Sequence, residues 1–189
     1  MSNENLIIEK ARKGDANAFR QLVEMYQDYV FTIAMRILNN REEAEEAAQD
    51  AFLKAWKGLV SFEGKSKFAT WLYRITWRAA IDRYRSRPGR TASIDDSETH
   101  MQVPDFEPTP SQAMEAADTR QMLEVAIAQM KPEDAALISL YYQAERSVKE
   151  IAEITGLTES NIKVKLFRLR STLKGILERQ LKTEVKQLL

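Results

Sequence analysis

The sequence predicts an all-α protein of two small helical domains joined by a flexible acidic linker. Three observations carry this. Apolar residues recur at the 3.6-residue spacing of helices on both sides of the middle of the chain. The stretch Ser86–Pro110 gathers Pro88, Gly89, Pro104, Pro108 and Pro110 among Ser, Thr, Asp and Glu, with too few apolar side chains for a core of its own. Beyond it, SVKEIAEITGLTESNIKVKLFRLRSTLKGIL has the spacing of two helices about a tight turn. A first domain over 1–87, a linker over 88–110 and a second domain over 111–189 follow.

The first helix lies around Glu4–Lys13 and ends at Gly14. Asp15 then caps a core helix, in which Phe19, Leu22, Val23, Tyr26, Val30, Ile33 and Ile37 keep helical spacing up to Asn39–Asn40. The third helix turns Ala44, Ala48, Ala51, Phe52, Ala55 and Leu59 inward. Its other face carries Glu42, Glu43, Glu46 and Asp50, with Gln49, Leu53 and Trp56 among or beside them. A leucine and a tryptophan within an acidic rim suit a protein-binding patch. A carboxylate metal site is the rival reading. Helical di-metal sites pair Glu-x-x-His motifs, and the single histidine, His100, stands far off in a polar segment. No metal and no cofactor are expected.

Next comes a basic loop, VSFEGKSKF, broken by Gly64, Ser61 and Ser66 and charged by Lys65 and Lys67. It leads into a helix from Phe68 that has two apolar faces. Phe68, Leu72, Ile75 and Ala79 form one. Tyr73, Trp77 and Tyr84 form the other, and Arg74, Arg78 and Arg85 run down a flank. The second face has two possible uses: packing against a neighbouring helix, or stacking on unpaired bases beside phosphate-binding arginines. Spacing does not choose between them.

In the second domain Met114, Ala117, Leu123, Ile127 and Met130 mark one helix, and Pro132 opens the next. Ser147 and Glu150 form a capping box for a short helix with Ile151, Ala152 and Ile154 inside. Gly156 makes the turn, and Thr158 caps a last helix with Ile162, Leu166, Leu169, Leu173 and Ile176 inside. Ser160, Val164, Phe167 and Ser171 then face outward, flanked by Asn161, Lys163, Arg168 and Lys174. Such a face suits base edges and phosphates of duplex DNA.

Charge supports a polyanion partner although the net charge is zero. Lys65–Arg90 holds eight basic residues against Asp82 alone, Thr91–Asp118 holds seven acids and no base, and Asn161–Lys174 holds five bases and no acid. Solvated surface charge does not sort by sign in this way. The absence of cysteine excludes disulfides and thiolate metal sites. No apolar run approaches the roughly 20 residues of a membrane span, and the charged N-terminus lacks a signal-peptide core. A cytoplasmic protein without membrane insertion is expected. No Gly-rich phosphate loop or catalytic cluster points to an enzyme.

The segments QDAFLKAWKGL, FEGKSKFATWLYRITWRAAIDRYR and SVKEIAEITGLTESNIKVKLFRLRSTLK, in this order and spacing, resemble an extracytoplasmic-function (ECF) RNA polymerase sigma factor of bacteria over nearly the whole chain. The resemblance implies a sigma-two and a sigma-four domain, and core RNA polymerase and promoter DNA, duplex and melted, as partners. It admits an anti-sigma protein as a further one. By position, Gln49, Asp50, Leu53 and Trp56 match the surface that grips the polymerase clamp helices. Gly64, Lys65, Ser66, Lys67 and Phe68, with Phe62 before them, match the loop that captures a flipped base of the minus-ten element. Trp77, Arg78 and the helix to Arg85 match the part that reads and opens that element. Lys163, Val164, Phe167 and Arg168, beside Ser160 and Asn161, match the recognition helix for the minus-thirty-five element. Trp71 resembles a buried family tryptophan. The rival is a self-sufficient helix-turn-helix regulator that binds duplex DNA alone. It leaves the aromatic helix and the acidic patch without a use.

Overall fold

The computed structural model describes residues 3–87 and 117–188, with side chains over 122–181 in the second stretch. The linker, His100 and the expected start of the second domain at Ser111 lie outside the described residues. Among the described residues every regular element is helical: α1 (Asn3–Arg12), α2 (Ala16–Leu38), α3 (Arg41–Gly58), a 3-10 turn (Leu59–Ser61), α4 (Phe68–Arg85), α5 (Ala117–Ala128), α6 (Pro132–Tyr142), α7 (Val148–Thr155) and α8 (Glu159–Leu188).

Local chemistry sets the breaks. Gly14 takes φ +91°, which favours glycine, and the Asp15 carboxylate accepts from the amides of Asn17 and Ala18 at 2.9 and 3.1 Å. Asn39 ends α2 in the left-handed region (φ 47°), and Asn40 caps α3 through the Glu43 amide. Both halves of the Ser147–Glu150 capping box are present. Gly156 closes α7 at φ +80°, and Thr158 accepts from the Asn161 amide at 3.2 Å to open α8.

In the first domain α2 packs on α1, α3 and α4, and α3 packs on α4. The alanine stripe of α3 runs through Ala44, Ala47, Ala51 and Ala55, all buried. It is centred one residue away from the expected stripe, so Ala48 and Phe52 are only half-buried at its flank. Gly58 faces the Trp71 ring, where a Cβ would stand 3.4 Å from the indole. Arg87 fastens the corner, donating to the Leu38 carbonyl at 2.5 Å while pairing with Glu43 at 2.5 Å.

The second domain is built around α6. Ala135–Leu140 are buried without interruption, as in a helix covered on every side. The coverings are α5, α7 and α8 from its own domain and α2 from the first. Helix α7 likewise lies on α4. One apolar core therefore runs through both domains, from Leu22 and Leu72 to Ile138 and Ile151. The sequence predicts the two units but not this contact between them.

Candidate nucleic-acid and protein interfaces

Three surfaces gather the candidate residues. The first is a cleft of about 480 Å³ between the start of α2 and α3, lined mainly by apolar side chains that include Phe19, Val23, Phe52, Leu53 and Trp56. The Trp56 ring sits 4.8 Å from that of Phe19 and forms its floor. Leu53 is 58% exposed at its rim, with Gln49 and Asp50 exposed beside it. Val60, in the 3-10 turn that follows α3, is 73% exposed. The sequence reading missed Val60, Phe19 and Val23. The acidic rim is smaller than expected, because Glu43 pairs with Arg87 and Glu46 with Arg83 of α4.

The second surface is the loop between the 3-10 turn and α4. Its ends are pinned by rings. Phe62 lies 5.1 Å from Trp71 and 5.9 Å, edge-on, from Phe68, and Phe68 lies 5.7 Å from Trp71 and 5.5 Å from Tyr26. Phe62 and Phe68 are buried, and Trp71 is half-buried. Between these anchors Gly64 adopts φ +69°, and Lys65 and Lys67 project outward, with Ser66 half-buried. Lys65 pairs with Glu63, and the Lys67 ammonium lies 3.0 Å from Glu150 of α7.

The second apolar face of α4 is used for packing, the first of the two uses its spacing allows. Tyr73 is 1% and Trp77 8% exposed. Phe62 and Phe68, also named as base contacts, are core residues as well. The cause is that α4 has neighbours on two sides, α2 and α3 on one and α7 on another. Tyr73 meets Tyr26, Tyr29 and the Arg146 guanidinium, and burial pushes its hydroxyl up to about 12. Tyr84 is half-buried with Arg87 5.5 Å over its ring. Arg78 and Arg85 are exposed, as a phosphate contact requires.

The third surface is the helix-turn-helix of α7 and α8. Ile151, Ile154, Ile162, Leu166 and Leu169 close its interior. Ser160, Lys163, Phe167 and Arg168 lie on the exposed side of α8, Phe167 with half its surface in solvent, while Asn161 and Val164 are half-buried. Further along, the Arg170 Nε donates to the Tyr142 hydroxyl at 2.7 Å and its guanidinium lies over the rings of Tyr141 and Tyr142, an arrangement the sequence reading did not find. Among the described residues no group of three or more metal-binding side chains forms, and no helix is long and apolar enough to cross a membrane.

Comparison with known proteins matches the chain to one family. The model of sigma-70 region 2 matches residues 22–89, and that of sigma-70 region 4 matches residues 120–173. The chain is 30% identical over 173 residues to the ECF RNA polymerase sigma factor SigW of Bacillus subtilis, covering 88% of this chain and 92% of the relative. It is 30% identical over 179 residues to the ECF sigma-E factor of Escherichia coli, covering 90% and 92%. The fold is similar to CnrH in complex with the cytosolic domain of CnrY (TM-score 0.67, 20% identity, 94% of this chain and 99% of that one). It is also similar to RpoE of Bartonella quintana in complex with the anti-sigma factor NepR (TM-score 0.63, 23% identity, 85% and 96%). With both regions in order and close to a third of the residues shared across nearly the full length of its relatives, this chain belongs to the ECF family of RNA polymerase sigma factors.

Proposed function

We propose that this chain brings core RNA polymerase to promoters, reads duplex DNA upstream through α8, and captures unpaired bases downstream through the loop before α4. The single observation that carries the proposal is the loop itself. A left-handed glycine, Gly64, is followed by two exposed lysines, Lys65 and Lys67, between ends pinned by Phe62 and Phe68. Pinned ends lower the entropy cost of ordering the loop around a ligand, and lysines supply phosphate contacts.

The proposed division of labour has three parts. Gln49, Asp50, Leu53 and Trp56, with Val60, form the polymerase-docking surface around an apolar cleft. Gly64, Lys65, Ser66 and Lys67 hold a base extruded from the minus-ten element, and Arg78 and Arg85 hold the strand beside it. Ser160, Asn161, Lys163, Val164, Phe167 and Arg168 face the minus-thirty-five element. Melting needs no catalytic step from this chain. Binding single strands better than duplex shifts the equilibrium toward the open bubble, by as much as that preference is worth. The chain works in the bacterial cytoplasm, where polymerase and promoters are. An anti-sigma protein is a proposed further partner, since RpoE of Bartonella quintana forms a complex with one. The test is transcription from a promoter library by core polymerase with and without the protein. Sequence-specific initiation that depends on it supports the proposal, and binding of palindromic duplex without polymerase contradicts it.

A further inference from the structure

Helix α8 carries Lys163, Phe167, Arg170 and Lys174 at steps of four, three and four residues, the spacing that lines side chains up along one side of a helix. Lys163 and Phe167 belong to the face that meets the minus-thirty-five element in the function proposed above, so the line carries that face on to Arg170. The other three residues of the line are exposed, whereas Arg170 is half-buried beside the end of α6. Its Nε donates to the Tyr142 hydroxyl at 2.7 Å, and its guanidinium lies 5.7 and 5.9 Å from the ring centres of Tyr141 and Tyr142. The two rings meet edge-on at 4.9 Å, which fixes the surface on which the guanidinium rests. Tyr142 itself is 45% exposed.

A phenol oxygen accepts hydrogen bonds and its own O–H donates one. The Tyr142 oxygen accepts from Arg170, so its proton is turned away from the arginine. A hydroxyl donor beside a charged, oriented guanidinium suits an anion rich in acceptor oxygens. The surroundings select the anion. Asn161–Lys174 holds five basic residues and no acid, which favours a polyanion backbone over an isolated carboxylate.

We propose that Tyr142 and Arg170 form a phosphate-binding site at the edge of the recognition face, which extends the duplex contact from the helix-turn-helix onto the end of α6. The proposal rests on reading α8 as the upstream duplex contact. Arg170 supplies the charge, and Tyr142 both orients it and gives a second donor to the same phosphate. Because the arginine is already held by α6, less side-chain freedom is lost when the phosphate arrives. Such a contact carries no base preference. It fixes where α8 stands along the groove, and so which bases Lys163, Val164 and Phe167 meet.

The test uses core polymerase with the full chain, bound to a duplex promoter that this holoenzyme selects from a library. Phosphates of the upstream element are replaced one at a time by neutral methylphosphonates. Several replacements should weaken binding of the unaltered chain. Tyr142→Phe should bind the unmodified duplex about three- to tenfold more weakly, the range of one hydrogen bond, and one of the sensitive phosphates should cease to matter. Arg170→Ala should silence the same phosphate and reduce the slope of log affinity against log salt by about 1. Arg170→Lys should keep the slope but not the affinity, since lysine retains the charge without the planar fork. Circular dichroism checks folding, and if Arg170→Ala does not fold, Tyr142→Phe, which removes a single oxygen, decides alone. A folded Tyr142→Phe variant whose methylphosphonate profile matches that of the unaltered chain overturns the site, because a pair that only braces α8 on α6 weakens binding without silencing any one phosphate. A profile with no sensitive upstream phosphate even in the unaltered chain overturns the reading of α8 as well, and the site with it.

Discussion

The rings of Phe19 and Trp56 stand 4.8 Å apart at an angle of 54°, joining α2 to α3 at the floor of an open apolar cleft. Trp56 is half-buried, Leu53 lines the same cleft, and Leu53 and Val60 are both exposed. Aromatic anchors in such a setting carry much of an interface's binding free energy. Trp56→Ala should therefore weaken core-polymerase binding by about 1–2 kcal/mol. Val60→Asp should weaken it as well while changing stability by no more than about 0.5 kcal/mol, since Val60 is mostly in solvent. Fluorescence-detected titration with core polymerase, paired with thermal melts, separates the two effects. Unchanged binding in a folded Leu53→Ala, Trp56→Ala double variant would move the docking surface elsewhere.

Trp77 and Arg78 are adjacent in sequence but differ in environment. Trp77→Ala should cost about 3–5 kcal/mol of stability, the loss expected when a buried aromatic is truncated. Arg78→Ala should melt close to the unaltered protein and lose affinity for single-stranded DNA. Urea titrations and oligonucleotide binding measured side by side check both. A stable Trp77→Ala protein with a specific DNA defect would return that ring to the DNA-contact set.

Glu150 gives a sign-definite pH dependence. Desolvation pushes its carboxyl up, but the hydrogen bonds from the Ser147 amide, Lys67 and the Ser147 hydroxyl together outweigh it and hold the group at about 2. A group lowered on folding adds stability above its unfolded value, and that stability is lost as pH falls through the folded one. The difference in melting temperature between the unaltered chain and Glu150→Gln should thus be full near neutrality, shrink below about 4.5 and vanish near 2. A difference that is flat across this window would mean that the capping and interdomain bonds do not depend on the charge.

Much of the fold was legible because its determinants are local. Gly14, Asp15, the Ser147–Glu150 box and Gly156 act within one helical turn of themselves, and each stands where the sequence puts it. The candidate site was less legible, because its determinants lie far apart in sequence. A second apolar face on α4 says that something covers it, not what. Tyr73 met Arg146 from the other domain, and Glu43 and Glu46 met arginines 44 and 37 residues away. The run Ala135–Leu140 held the missing signal, since a helix apolar nearly all round, with Ser139 its one polar residue, needs covering on every side. Val60 escaped because it lies past the helix end at Gly58, where helical spacing no longer applies.

The recognition helix should separate two kinds of contact. Arg168→Ala should weaken promoter binding on every sequence and reduce the slope of log affinity against log salt by about 1, as the loss of one phosphate contact does. Substituting Lys163 or Val164 should instead change which upstream bases are preferred. Binding assays at several salt concentrations on a panel of upstream variants check this. Uniform losses from all three substitutions would argue against base reading by α8.

The central claim is that the loop pinned between Phe62 and Phe68 captures a base that has left the stack. Extruding a base costs a few kcal/mol, and a melting factor must supply that free energy by binding the base outside the duplex. The direct measurement is permanganate reactivity of minus-ten thymines with core polymerase and either the unaltered chain or Lys65→Ala with Lys67→Ala. Both lysines are largely in solvent, so the variant should fold. It should bind the promoter in the closed complex yet leave the thymines unreactive, and a promoter with a pre-melted, mismatched bubble should partly restore activity. Equal thymine reactivity with the folded variant on duplex promoters would contradict capture by the loop.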